Sequence, residues 1–133
     1  MGERINHPKH YNNLFANRSV ECIDIAEHMS FVVGNAFKYI WRAGLKGGKK
    51  AEREDLEKAV WYLSRAVAAA ALNREKVAEV SETALSVFNL IKRPEDPESQ
   101  EFSKYFILRL IAQGMLMPAL TNTRMLLKRC NNG

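Results

Sequence analysis

Asn35, Lys38 and Arg42 stand three and four residues apart, the spacing that places side chains on one face of a helix, opposite much of the Phe37 and Ile40 stripe. A guanidinium grips phosphate oxygens through two parallel hydrogen bonds, an ammonium adds a mobile point charge, and a carboxamide reads a sugar or base edge. Together they suit a phosphorylated small molecule, although the same pattern also describes an ordinary solvent-facing helix side. Asp55, Lys58, Tyr62 and Arg65 share a second helical face. There Asp55 is either an acid/base group or the plain surface partner of Lys58, and Tyr62 with Trp61 either stacks on a base or packs in a core or interface. His7 and His10 flank Pro8 and Lys9, with Tyr11 next to them. Histidine titrates near neutral pH, so these two can touch phosphate or carry a proton. An HxxH pair on a loop is a weak metal signal, and no residues are assigned to a metal. His28 is read as structural and Cys22 as a small buried apolar residue.

Lys38, Arg42, Lys46, Lys49 and Lys50 form an acid-free basic stretch directly before Glu52, Glu54, Asp55 and Glu57. It runs into the glycine loop Gly44-Leu-Lys-Gly-Gly-Lys-Lys50, which lacks the GxxxxGK[ST] spacing and follows a helix where a P-loop follows a strand. P-loop kinase chemistry is excluded, while backbone amides with Lys46, Lys49 or Lys50 can still wrap phosphates.

The elements that must position these groups read as helices throughout. The segment before about Asn17 is polar and turn-rich, and Val20, Ile23, Ala26 and Met29 suggest a short first helix. Ala36, Phe37, Ile40, Trp41 and Ala43 give a second short helix that ends at Gly44. From Glu52 onward Leu56, Ala59, Val60, Leu63, Ala66, Val67 and Ala70 hold a clear stripe, resumed by Val77, Val80, Ala84, Val87, Phe88 and Ile91. The pattern allows one long central helix to Lys92 or a helix pair broken near Asn73. A stripe of that length is more than one small monomer readily buries, so a homo-oligomer is expected. Arg93 to Ser99 is a proline-bearing loop. Phe102, Tyr105, Phe106, Arg109, Leu110 and Gln113 predict a helix ending at Gly114, and Pro118 opens a last one through Arg129. Strand-like alternation is absent. The fold class is all-α, a compact helical domain over residues 1–133.

With 133 residues and 47% apolar side chains the chain can close one ordinary core. Two distant cysteines without ligand spacing and an N-terminus without an apolar run favour a reduced, cytoplasmic setting. No apolar run reaches the roughly 20 residues that cross a bilayer. A formal charge of +5 favours anionic partners of several kinds. Nucleic acid is the less favoured of these, because the basic residues are not interleaved with exposed aromatics along a groove-sized element.

Three blocks, His7-Pro-Lys-His10-Tyr11, Gly34-Asn-Ala-Phe-Lys-Tyr-Ile-Trp-Arg42 and Glu54-Asp-Leu-Glu-Lys-Ala-Val-Trp-Tyr62, occur in this order. In them the sequence resembles a family of small bacteriophage proteins that carry a domain of unknown function and are often labelled phage nucleotide kinases. The resemblance covers about residues 7 to 65. It implies a nucleotide-site half over residues 7–67, with residues 74–133 a helical second half of unassigned role. It also implies phosphoryl transfer to a deoxynucleoside monophosphate, with ATP as a possible donor, in the cytoplasm of an infected bacterium. Under that reading His10, Lys38, Arg42 and Asp55 are the catalytic candidates, and His7, Tyr11, Asn35, Lys46, Lys58 and Tyr62 the substrate-binding ones. On the sequence-level geometry, loss of Arg42 is expected to cost phosphate contacts more than packing.

A second resemblance runs through Glu21-x-x-Asp24-x-x-Glu27 and Glu52-x-x-Asp55, which look like the paired acidic helices of all-alpha nucleotide pyrophosphatases of the MazG type. In that family such carboxylates hold magnesium beside a triphosphate. Cys22, Ile25 and His28 stand where its EExxE pattern would want glutamates, whichever register is chosen. A non-enzyme alternative is an accessory phage protein that binds and inhibits or sequesters a host factor, with Met115, Leu116, Met117, Met125 and Leu126 as a soft apolar surface.

Overall fold

The computed structural model describes Phe15 and residues 20–132. Among them run six α-helices: α1 (Cys22–Ala26), α2 (Phe31–Arg42), α3 (Gly48–Ala71), α4 (Glu82–Phe88), α5 (Gln100–Ala112) and α6 (Leu116–Asn132), with a 3-10 turn at Glu75–Ala78. No strand occurs among the described residues, so the chain is all-α; Met29 and Val80 form one isolated antiparallel bridge.

Helix α3 is the axis of the fold, packing on α2 along one side and α6 along another. Its buried positions Leu56, Ala59, Leu63, Ala66 and Ala69 follow the helical stripe, and small alanines let the neighbouring helices approach closely. Helix α2 turns Val33, Ala36, Phe37, Ile40 and Trp41 inward, and α5 adds Tyr105, Leu108 and Ile111 to the same cluster. The halves before and after Asn73 thus share one core. At the ends of α2 and α5 serine does the capping: Ser30 accepts from the Val33 amide at 3.1 Å and Ser99 from the Phe102 amide at 3.0 Å. The Ser30 hydroxyl also donates to the Val77 carbonyl at 2.7 Å, tying the start of α2 to the segment after α3.

The central stripe is two helices. At Asn73 the backbone turns left-handed, φ 61°, and the amides of Asn73 and Arg74 bond back to the carbonyls of Ala70 and Ala69 at 3.1 and 2.8 Å. This pair closes a Schellman motif, in which asparagine is one of the few residues that tolerates the left-handed position. Gly114 closes α5 in the same way. Past the break, Ala84, Phe88 and Ile91 fold back onto the common core. Of the two arrangements the stripe allows, the helix pair broken at Asn73 is the one present, and with the continuous helix goes the length argument for self-association.

Two boundaries also move. Helix α3 begins at Gly48, inside the glycine loop and ahead of Glu52, after Gly47 takes φ 92° as its N-cap. Helix α1 is little more than one turn, so its buried pair is Cys22 and Ile25, while Ile23 faces out and Met29 lies beyond its end. No helix among the described residues is long and apolar enough to cross a membrane.

Candidate functional site

The densest polar structure lies where the last turn of α2 meets the first half of α3. Asp55, only 4% exposed, accepts a forked contact from Arg42: Nη2 lies 2.5 Å from Oδ1, and Nε lies 3.2 and 3.3 Å from the two oxygens. A buried carboxylate needs such a partner, because desolvation without one costs several kcal/mol. Arg42 in turn lies 5.0 Å from the centre of the Tyr39 ring. Lys38 and Lys58 approach the same ring to 4.5 and 5.3 Å, from α2 and α3 respectively. Tyr62 stacks on Tyr39 with ring centres 6.0 Å apart and planes 14° from parallel. Tyr39 thus gathers three cations around its electron-rich ring, which Tyr62 backs.

Beneath this surface is a buried ammonium. Lys104 of α5 is 2% exposed and donates to the carbonyls of Trp41 and Ala43 at 2.8 and 2.6 Å. These carbonyls belong to the end of α2, where a cation meets both orphan acceptors and the negative end of the helix dipole. Burial pushes the Lys104 ammonium down from 10.5 to about 8, opposed first by Glu52 and then by Glu101 and Asp55. Glu52 is itself buried, accepts from Gln100 Nε2, and has Lys49 at 3.6 Å.

The structure therefore brings together Lys38, Arg42, Asp55, Lys58 and Tyr62 from two helices. Asn35 lies farther up α2, its amide donating to the Phe31 carbonyl at 3.0 Å. Lys46 is exposed on the short connection between α2 and α3. His7, His10 and Tyr11 fall outside the described residues. Arg42 does more than the polar-face reading gave it: its loss would strand buried Asp55, so packing suffers along with any phosphate contact. The Asp55–Lys58 surface pair gives way to Asp55–Arg42, and Tyr62, partly buried, packs against the core and stacks on Tyr39. Trp61 is exposed, with Arg65 5.8 Å from its ring.

Three of the five carboxylates of the pyrophosphatase-like pattern are engaged elsewhere. Asp24 accepts from the Glu21 amide at 2.8 Å and caps α1, Asp55 holds Arg42, and Glu52 holds Gln100. Among the described residues no three His, Cys, Asp or Glu side chains stand together as a metal-holding group.

Sequence reasoning passed over Tyr39, Gln100 and Lys104. Tyr39 had a signal, since it lies three residues before Arg42 and one after Lys38 in the same polar block. Lys104 had none, because a lone lysine in an amphipathic helix reads as a surface residue.

No curated protein and no solved structure matches the chain. Residues 5–64, which carry Lys38, Tyr39, Arg42, Asp55, Lys58 and Tyr62 but neither Gln100 nor Lys104, match the family described as "Protein of unknown function (DUF3310)", and to that family this part of the chain is similar.

Proposed function

We propose that the surface around Tyr39 binds the phosphate of a deoxynucleoside monophosphate and that the protein transfers a phosphoryl group to it from a nucleoside triphosphate such as ATP. The observation that carries this reading is the convergence of Lys38, Arg42 and Lys58 on one ring, with Asp55 buried and already neutralised by Arg42. The three cations less one carboxylate leave an excess of two positive charges at a partly exposed point, which is what an incoming dianion requires.

In the transfer, an oxygen of the acceptor phosphate forms a bond to the terminal phosphorus of the donor. The bond from that phosphorus to its bridging oxygen breaks, and two diphosphates result. A phosphate oxygen is already an anion, so the step requires charge stabilisation and alignment more than a base. Asp55 then serves to hold the Arg42 fork in place, and Lys46 and Lys50 on and after the glycine turn are the cations offered to the donor's phosphates.

Incubation with each deoxynucleoside monophosphate plus ATP is expected to give a diphosphate, lost in a Lys38→Ala/Lys58→Ala double variant that keeps its helical circular dichroism. Pyrophosphate released from a deoxynucleoside triphosphate alone would favour the pyrophosphatase reading instead. The partner-binding reading is favoured by a separate observation, the exposure of Met115, Met117 and Met125 at and along α6. It takes precedence if no product forms from any common nucleotide.

A further inference from the structure

Between α1 and the first turns of α2 lies a cleft of about 360 Å³, lined by Ile23, Ala26, Met29, Phe31, Asn35 and Lys38, among others. Its lining is mostly apolar, with Ser30, Asn35 and Lys38 as the polar side chains. Phe31 is 79% exposed and Ile23 58%. Both side chains line the cleft and offer it apolar surface open to a ligand. The floor is kept low by Gly34, where a Cβ would come within 3.2 Å of the Ala26 carbonyl oxygen. Any side chain there would press on α1 and narrow the cleft.

The order of groups along α2 is informative. Phe31, Asn35, Lys38 and Arg42 follow one another at helical spacing on one face, so an aromatic plate is succeeded by an amide, an ammonium and a guanidinium. Phe31 and Lys38 are about 10 Å apart along the axis. Lys38 belongs to both features: it lines the cleft and it stands 4.5 Å from the Tyr39 ring. A ligand that spans them has a flat apolar head, a polar middle and an anionic end.

We infer that this cleft is the base and sugar subsite for the monophosphate whose phosphate rests on the Lys38, Arg42 and Lys58 cluster. The inference rests on the function proposed above and names new residues for it. The base lies against Phe31, as nucleobases do on exposed aromatic rings. Asn35 faces the sugar or the base edge with its amide, and Lys38 takes the near phosphate oxygen. The volume falls within the range of small-ligand sites.

The test is calorimetric titration of the full chain with a deoxynucleoside monophosphate, inorganic phosphate and hexyl phosphate, for the wild type and for Phe31→Ala, Ile23→Ser and Lys38→Ala. Phe31 and Ile23 are exposed, so the first two variants keep the fold, which circular dichroism verifies. The nucleotide is expected to bind at least about tenfold tighter than phosphate, and Phe31→Ala to remove about that factor while phosphate affinity stays put. Lys38→Ala weakens both. If Phe31→Ala and Ile23→Ser leave nucleotide affinity unchanged while Lys38→Ala abolishes it, the cleft is not the base subsite and the phosphate site stands. Hexyl phosphate binding as tightly as the nucleotide also overturns base recognition. If neither phosphate nor nucleotide binds the wild type, the proposed function fails, and the subsite with it.

Discussion

Replacing Lys104 by methionine separates the two roles of a buried ammonium, and the outcome depends on pH with a definite sign. In the folded chain burial lowers this group from 10.5 to about 8. Below about pH 8 both states are protonated, and the fold bears the cost of the buried charge, about 3 kcal/mol for a shift of that size. Between about pH 8 and 10.5 the unfolded chain binds more protons than the folded one, so stability rises with pH across that window. About 2 kcal/mol of the cost is recovered between about pH 7 and pH 9.5. The neutral amine still has two N–H groups for the carbonyls of Trp41 and Ala43, so the end of α2 stays capped. Methionine fills similar space but takes the Lys104 donor from both carbonyls, a loss of about 1 to 3 kcal/mol each. Near neutral pH that loss is partly offset by removal of the buried charge. The gap between wild type and Lys104→Met is therefore expected to be small at about pH 7 and to widen by about 2 kcal/mol at about pH 9.5. The assay is urea unfolding at both pH values in a Cys22→Ala background. Burial pushes the Cys22 thiol up from 9.0 to about 12, so it would otherwise remove stability as pH rises through the same range. A gap that stays constant or narrows would refute the reasoning, since it would mean that the fold favours the ammonium over the amine.

Arg42→Ala is expected to destabilise the fold by about 3 kcal/mol or more, because Asp55 is left buried without its fork, and Asp55→Asn in the same chain should restore part of the loss; thermal melts of the single and double variants decide it. Lys58→Ala should leave the melting temperature within about a degree while weakening phosphate binding about fivefold or more, an effect that shrinks as salt is raised. At the break between α3 and the 3-10 turn, Asn73→Ala is expected to cost about 1 kcal/mol in denaturant unfolding and Asn73→Gly close to nothing, because the left-handed backbone penalises a plain Cβ and spares glycine.

The helices were legible because their burial is periodic. The Leu56 to Ala70 stripe announces α3, and the Phe37, Ile40 and Trp41 set announces the inward side of α2. The grouping of Asn35, Lys38 and Arg42 on the opposite side followed from the same geometry. The break at Asn73 was left open, since the hydrophobic stripe continues through it. Only the left-handed turn, a local backbone event that leaves the stripe's spacing untouched, ends the helix there. The partner of Asp55 was misjudged for a related reason. Spacing along one helix suggests Lys58 at i+3, whereas the fork from Arg42 arrives from another helix and depends on how α2 and α3 meet. Lys104 lies farther still from sequence logic, because its partners are backbone carbonyls 61 and 63 positions away.

Those long-range contacts connect the two halves of the chain through the site itself. The similarity to a known family stops at residue 64, yet the end of α2 that carries Arg42 is fastened by an ammonium from α5. Glu52 and Asp55, one turn apart on α3, face Gln100 and Arg42 respectively, so the first half of α3 is held from both sides. Rotating α2 at its last turn would move Arg42, Tyr39 and Lys38 together, since all three ride on that segment. The second half therefore sets the angle at which the cations of the first half meet. In an isolated fragment ending near residue 64, the carbonyls of Trp41 and Ala43 would lose the Lys104 donor and Phe37 its contact with Phe88. The matched segment carries the polar cluster, and the segment beyond it supplies contacts that hold those charges in position.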